Sequence, residues 1–309
     1  VFAIGITLLA LRSMIAVPSV NLWRGGEGTI RIGLYAASTS LLFALVAFGW
    51  SSIIIPKVLG SRLYYDVLFW GGGHVLQFTY TLLMSAGWLW LAGACGAKIP
   101  LTPRVASFFF IMGLLPVFYV PVIYLSYNGV MGDHMGQFTQ LMGVAVSFAA
   151  VPIGLAVLYG MVVGRRTIAT APQRAALLSS MLLFVVGGAI GMMIKDSSTI
   201  ITAHYHGTGG AVSLAFMGLT FHLLPRLGYR EPDLKWATLT SYVYGVGQLL
   251  HIFGMLWSGG YGAQRKVAGG LHGFAQTAGM GLMGLGGLIA VVGGIMFLVV
   301  VFKAMRRQR

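Results

Sequence analysis

Charged side chains are scarce in this chain, and acidic ones are the scarcest. Only 8% of the 309 residues are charged, with 20 Lys and Arg against 6 Asp and Glu, while 57% are hydrophobic. A water-soluble domain needs far more charge to cover its surface. This composition excludes a soluble globular protein and predicts one that is embedded in lipid.

Cysteine is nearly absent, and no leader sequence is recognisable. The single cysteine, Cys95, lies in an apolar stretch, which excludes a disulfide framework and a zinc site built from several cysteines. The chain begins at Val1 without the charged segment and cleavage pattern of a signal peptide. Because it starts without methionine, we expect that upstream residues are missing.

Long apolar runs are what the chain has in abundance. A membrane-spanning helix takes roughly 20 apolar residues. Nine such runs lie near residues 1–18, 29–56, 65–94, 105–127, 138–163, 174–194, 200–226, 234–258 and 270–302. No soluble linker separates them. We therefore expect a single all-α membrane domain over residues 1–309, a polytopic bundle of about nine transmembrane helices.

Basic residues concentrate on one side of this nine-span topology. Fourteen of the 20 lie there: Arg24, Arg31, Lys98, Arg104, Arg165, Arg166, Arg174, Arg226, Arg230, Lys235, Lys303, Arg306, Arg307 and Arg309. The opposite side holds five, namely Lys57, Arg62, Lys195, Arg265 and Lys266, and the twentieth, Arg12, lies within the first run. Since cytoplasmic loops are rich in Lys and Arg, we expect a cytoplasmic C-terminus in a bacterial or archaeal inner membrane. We attribute the excess of basic residues to the orientation of the chain in the membrane. We therefore expect no nucleic-acid partner.

Two histidines, His204 and His206, open the seventh apolar run in the stretch ITAHYHGTGG. Positions i and i+2 of a helix point roughly 200° apart, so one ion cannot easily collect both side chains. Two cofactors on opposite flanks of the helix could take one imidazole each, and neutral imidazole is a good axial ligand for haem iron. Two histidines that merely hydrogen-bond to loops are the simpler alternative, which this motif alone leaves open.

A second polar group consists of Asp133, His134 and His74. Adjacent carboxylate and imidazole groups near a helix start suit a non-haem metal, and His74 lies at a similar depth on another predicted helix. Asp133 could instead cap the helix that follows it. With His74 as a third ligand, a metal site is the better interpretation.

Four segments in order carry a resemblance to a known family. The stretch LLFVVGGAIGMMIKDSSTIITAHYHGTGGAVSLAFMGLTFHLLP (182–225) resembles helices nine and ten of the large subunit of the haem-copper oxidase superfamily, which contains cytochrome oxidases and nitric-oxide reductases. FWGGGHVLQF, GDHMGQFTQLMGVAVSFAAVPIGLAV and GAQRK agree in order. The resemblance covers residues from about 30 to 302. It implies the fold of that subunit, with the family's N-terminal helices absent from this chain.

The resemblance implies two haems. It gives His204 to the high-spin, reactive haem and His206 to the low-spin haem, while Arg265 and Lys266 match the basic pair that holds haem propionates. The second low-spin ligand would come from the missing N-terminal helices or from another chain. The remaining histidines are interpreted as polar contacts or propionate neighbours: His222, His251 and His272.

The resemblance also implies a non-haem metal, bound by His74 and His134, that forms a binuclear centre with the reactive haem. Asp133 stands where the family has a further histidine, and its harder oxygen ligand favours iron over copper. Phe78 and Leu76 replace the tyrosine and the proton-path glutamate of many oxidases. Reduction of two NO molecules to N₂O needs only two electrons and no O–O cleavage. We therefore expect a respiratory enzyme closer to the nitric-oxide reductases.

Two alternatives remain open. Tyr127 lies six residues before Asp133, where one subgroup of oxidases carries its tyrosine, and this favours a cytochrome c or quinol oxidase with copper at the metal site. Tyr127 could equally be an ordinary interfacial aromatic. A haem-bearing anchor or electron conduit without gas chemistry is the other alternative. The chain has no CxxCH motif, so electrons would come from a small cytochrome c or cupredoxin-type subunit, or from quinol.

Overall fold

Helices account for nearly all regular structure in the chain. The computed structural model describes residues 2–16, 25–56, 58–127, 131–164, 167–266 and 273–306. Within these ranges there is no β-strand beyond an isolated bridge between Ser198 and Gln264. The all-α prediction is confirmed.

The described residues form eleven α-helices. They are α1 Phe2–Ala16, α2 Gly25–Ile54, α3 Ser61–Ala94, α4 Pro103–Leu114, α5 Val120–Ser126, α6 Met131–Ala145, α7 Ser147–Val163, α8 Ala171–Gly191, α9 Thr199–Leu223, α10 Leu234–Gly260 and α11 Phe274–Met305. A tight 3₁₀ turn, Leu115–Tyr119, joins α4 to α5 in a stretch that contains Pro116 and Pro121. Proline lacks the N–H that an α-helix needs, so the predicted run 105–127 is helical but interrupted.

Six segments among the described residues are long and apolar enough to cross a membrane: Gly25–Ile54, Leu63–Ala94, Pro103–Ser126, Gly132–Val163, Ile168–Gly191 and Phe274–Met305. The first predicted span forms only the shorter apolar helix α1. Helices α9 and α10 are long, but Gly, Thr, His and Tyr dilute their apolar residues. Several membrane-spanning helices are therefore confirmed, which makes the chain an integral membrane protein, while the count of nine is not.

The chain packs as two compact units. The first comprises Val1–Leu89 and Ile99–Tyr159, and the second comprises Trp90–Lys98 and Gly160–Arg309. Of the sequence-predicted site residues, the first unit holds His74, Tyr127, Asp133 and His134, and the second holds His204, His206, Arg265 and Lys266.

The core of the first unit lies where α2, α3, α5 and α6 meet. Its buried members are Ala44, Ala47, Val75, Phe78, Val117, Val120, Ile123, Tyr124, Phe138 and Ala145. Small residues let helices approach closely in lipid. At Gly71 on α3, an added Cβ would lie only 2.5 Å from the Tyr124 hydroxyl and 3.0 Å from the Phe138 ring. This close approach places α5 and α6 against the His74 end of α3.

Glycines bring the helices of the second unit into backbone contact. An added Cβ on Gly187 of α8 would lie 2.8 Å from the amide nitrogen of Thr208 on α9. One on Gly279 of α11 would lie 2.7 Å from the amide nitrogen of Ser258 on α10. The histidines of α9 and α10 therefore lie within reach of carbonyl groups on the neighbouring helices.

Candidate metal and haem ligands

His74 is a buried imidazole on α3 with a fixed protonation pattern. Its side chain is 8% exposed, and its Nδ1 lies 2.7 Å from the carbonyl oxygen of Trp70, one turn earlier. A carbonyl oxygen can only accept, so Nδ1 carries the proton and Nε2 keeps its lone pair. This is the arrangement in which a histidine ligates a metal, since ligating histidines donate their other N–H to a carbonyl or carboxylate.

His134 on α6 is also buried. Its side chain is 5% exposed, with the ring centroids of Tyr124 and Phe138 at 4.9 and 5.1 Å. The buried Nδ1 has no hydrogen-bond partner among the residues that the structure describes. Leaving such an atom unsatisfied costs about 1–3 kcal/mol. A buried nitrogen of this kind requires a partner, and a bound metal ion would provide one.

Phe138 borders both imidazoles of this unit. Its ring centroid lies 6.4 Å from that of His74 and 5.1 Å from that of His134. The Trp70 indole N–H also donates to the Met135 carbonyl at 3.0 Å, which ties α3 to α6 at this level. The structure therefore brings His74 and His134 into one neighbourhood.

Asp133 is exposed and lies in the first turn of α6. Because α6 already begins at Met131, Asp133 lies inside the helix and is not its N-cap residue. The alternative that Asp133 caps this helix is therefore wrong. Its carboxylate still lies near the positive end of the helix dipole. Across the described ranges, no group of three or more His, Cys, Asp or Glu side chains is placed to hold a metal ion. The set of His74, Asp133 and His134 stays a prediction.

The tyrosine in contact with this neighbourhood is Tyr124. Tyr127 follows the last residue of α5 and is half-buried against the core of the first unit. Tyr124, one turn earlier, is 1% exposed and contacts the His134 ring. Its hydroxyl lies 2.7 Å from Ser51 Oγ and donates to the Ala47 carbonyl at 3.0 Å. Sequence reasoning missed Tyr124, because nothing in the local pattern distinguishes it from Tyr127.

His204 in the second unit is held like His74. Its Nδ1 lies 2.8 Å from the carbonyl oxygen of Gly187 on α8, so Nδ1 donates and the lone pair of the neutral ring is on Nε2. Gly191, one turn further along α8, makes room for the ring. A Cβ at Gly191 would lie 2.7 Å from His204 Nδ1 and 2.9 Å from Cε1. The Gly187 carbonyl and the close contact with Gly191, which we call the Gly191 seat, therefore fix the position of this imidazole.

His206 lies on the flank of α9 that meets α10. Its side chain is exposed, and its ring centroid is 4.7 Å from that of His251, with the ring planes at 64°. His204 contacts α8 and His206 contacts α10, so the two imidazoles meet different neighbouring helices. His251 Nδ1 lies 2.8 Å from the Met283 carbonyl oxygen on α11. Sequence reasoning did not identify this pairing, because it joins residues far apart in the chain.

Arg265 and Lys266 lie at the N-terminal end of α9. Gln264 bridges Ser198, and the Arg265 amide donates to the Ser197 carbonyl at 3.1 Å. Lys266 has a φ of 59°, a conformation uncommon for a residue other than glycine. The basic pair is thus anchored beside the start of the helix that carries His204 and His206.

His222 shows the opposite protonation pattern. Its side chain is 9% exposed, and the Arg226 guanidinium donates through Nη1 to His222 Nδ1 at 3.2 Å and to its carbonyl at 3.0 Å. Arginine can only donate, so Nδ1 accepts and the neutral ring carries its proton on Nε2. His222 makes a polar contact, as expected, and is not arranged as a ligand. His272 lies outside the described residues.

Comparison with known proteins gives relatives without an assigned activity. No protein-family model matches the chain. It is similar to an uncharacterized protein of Rickettsia prowazekii, with 27% identity over 354 aligned positions that cover 99% of this chain and 69% of that protein. An uncharacterized protein of Aquifex aeolicus is 28% identical over 181 positions, 57% of this chain and 42% of that protein.

Proposed function

We propose that this chain is the haem-bearing membrane subunit of a respiratory reductase that converts nitric oxide to nitrous oxide. The reaction is 2 NO + 2 H⁺ + 2 e⁻ → N₂O + H₂O. One observation carries the proposal: His74 and His204 each donate Nδ1–H to a backbone carbonyl, which leaves the lone pair of the neutral ring on Nε2. The donor pattern that these residues share is the one expected of metal-ligating histidines.

His204 would hold the reactive haem, and His206 would hold the low-spin haem. The fit of a haem at His204 is supported by the Gly191 seat, which holds the ring by its Nδ1–Cε1 edge. Arg265 and Lys266 neutralise propionates at the N-terminal end of α9. When bound, the haem iron supplies one-electron chemistry and a position for NO.

His74 and His134 hold the non-haem metal, with Asp133 as a third ligand. The fit of a metal is supported by the buried Nδ1 of His134, which has no hydrogen-bond partner among the described residues. We assign iron because carboxylate oxygen is a harder ligand than imidazole and suits iron better than copper. The Phe138 and Tyr124 rings give His134 an apolar setting, which suits a small uncharged substrate.

The remaining parts of the proposal concern topology and partners. With nine spans, the charge asymmetry supports a cytoplasmic C-terminus. Electrons reach the chain from a small subunit of the cytochrome c or cupredoxin type, or from quinol.

Oxygen reduction is the second candidate, and the position of Tyr124 favours it. A phenol that contacts His134 and shares a hydrogen bond with Ser51 could supply an electron and a proton to O₂. In that case copper would occupy the metal site. Tyr127, which the sequence favoured, would then be a neighbour of the active tyrosine.

The test uses the protein purified from membranes, with His222→Ala as a matched control for His204→Ala. We expect haem and non-haem iron in the wild-type protein and the control, with N₂O formed from NO. In His204→Ala we expect loss of the CO-binding haem and of N₂O formation. One copper per haem pair with rapid O₂ consumption and no N₂O would establish the oxidase instead. Haem-free wild-type protein would overturn both.

A further inference from the structure

Two histidines of the second unit dock onto neighbouring helices by the same device. His204 donates Nδ1–H to the Gly187 carbonyl, and its ring is seated on Gly191, four residues further along α8. His251 donates Nδ1–H to the Met283 carbonyl, and its ring is seated on Gly287, four residues further along α11. His251 is thus held by the same two kinds of contact as His204, although sequence reasoning gave it no specific role.

The docking determines which nitrogen His251 presents. Since Nδ1 donates to Met283, the neutral ring has its lone pair on Nε2. A Cβ on Gly287 would lie 3.1 Å from Nδ1 and 3.4 Å from Cε1, so that edge of the ring rests on α11. The neighbouring imidazole is His206, with its ring centroid 4.7 Å away. His251 therefore presents a hydrogen-bond acceptor beside His206.

A haem ligand at His206 needs such an acceptor. If Nε2 binds iron, then Nδ1 carries a proton, and ligating histidines almost always donate it. A straight N–H···N bond of about 2.9 Å between two imidazoles puts their centroids about 5.2 Å apart. The observed 4.7 Å is within about half an ångström of that value. A small movement of the exposed His206 ring would form the bond.

The same separation excludes His251 as the second axial ligand in the present arrangement. With a metal–nitrogen distance of about 2.0 Å on each side, two imidazoles across one iron have centroids about 6.3 Å apart. The observed 4.7 Å is too short for an iron atom between the rings.

We propose that His251 is a positioning residue for His206. It accepts the His206 Nδ1–H at Nε2 and donates its own Nδ1–H to Met283, so that one hydrogen-bonded chain runs from α9 through α10 to α11. This inference rests on the proposed function, because it requires His206 to ligate the low-spin haem. A polarised chain of this kind makes the ligating imidazole more electron-donating and lowers the reduction potential of the iron.

The test compares His251→Phe, which removes the acceptor, with His251→Gln, whose amide oxygen can still accept. The control is His222→Phe, a change of the same size at a histidine with the other protonation pattern. Spectroelectrochemical titration of the low-spin haem is the measurement. We expect His251→Phe to destabilise the oxidised haem relative to the reduced haem, shifting the equilibrium between them roughly tenfold. The reduction potential of the low-spin haem should then rise by about 59 mV. In His251→Gln the reduction potential should return most of the way to the wild-type value, and in His222→Phe it should stay at that value.

Gly287→Ala provides a second route if His251→Phe does not fold. The added methyl would press on the His251 ring at Nδ1, and the potential should rise in the same direction. An unchanged potential with full haem in His251→Phe, or in Gly287→Ala if only that variant folds, would overturn the role of His251. Persistence of the low-spin spectrum in His206→Ala would instead overturn the haem assignment, so the two failures are distinguishable.

Discussion

Gly191→Ala tests the packing of His204, the proposed ligand of the reactive haem, without changing His204 itself. The new Cβ would lie 2.7 Å from His204 Nδ1 and 2.9 Å from Cε1. Optimal heavy-atom contact is about 3.5 Å, so the ring must move by about 0.8 Å. That movement breaks or stretches the 2.8 Å bond to the Gly187 carbonyl.

The expected cost falls on haem binding rather than on the helix. Removing an outer hydrogen bond from a ligating histidine typically costs 10- to 100-fold in metal affinity. Alanine is otherwise better than glycine in a helix by about 0.5–1 kcal/mol. Gly188→Ala is the matched control, because it adds the same methyl to the same helix with nothing within 4 Å of it.

The assay is the CO-difference spectrum of purified protein, with haem content and thermal unfolding measured on the same samples. We expect Gly191→Ala to lose most of the CO-binding haem while Gly188→Ala keeps it and unfolds no earlier than wild type. If Gly191→Ala protein titrated with limiting haem gave the same CO signal as wild type, the proposed role of Gly191 in positioning His204 would be refuted.

Three further predictions follow from other features. His134→Phe should leave the fold intact, because it removes an unsatisfied buried nitrogen, but it should abolish non-haem metal binding in elemental analysis. Tyr124→Phe deletes the hydroxyl that bonds Ser51 and should lower unfolding stability by about 1–3 kcal/mol. If Tyr124→Phe also abolishes N₂O formation while haem and metal remain bound, then the Tyr124 hydroxyl is needed for NO reduction and not only for O₂ reduction. A cysteine introduced by Arg307→Cys should not react with an impermeant thiol reagent in intact cells, and buried Cys95 should not react either. Labelling of the new cysteine from outside would show that the C-terminus is not cytoplasmic.

The existence and type of the helices were predictable from the sequence. Every predicted apolar run contains an α-helix, because a backbone in lipid must satisfy its hydrogen bonds within the segment. The interruption at Leu115–Tyr119 was not predicted, although Pro116 and Pro121 were visible. The six candidate spans also show that length alone does not separate α9 and α10 from the more apolar helices.

The site was only partly predictable. The divergence of His204 and His206 follows from helical periodicity alone, since two positions along a helix turn the side chain to the opposite flank. The burial of His74 and His134 around Phe138 needed the packing of α3 on α6. Asp133 was expected among the metal ligands, but it lies exposed in the first turn of α6.

Local sequence therefore determined where helices form and on which flank each imidazole leaves its helix, because both depend on hydrogen bonds and rotation within one segment. Tertiary structure decided which nitrogen each imidazole presents, because the carbonyls of Gly187 and Met283 that accept those protons lie on other helices. It also selected Tyr124 over Tyr127 as the tyrosine in contact with His134, and it paired His251 with His206. These choices depend on glycine positions that let two helices approach, and contacts between distant segments leave no local pattern in either one.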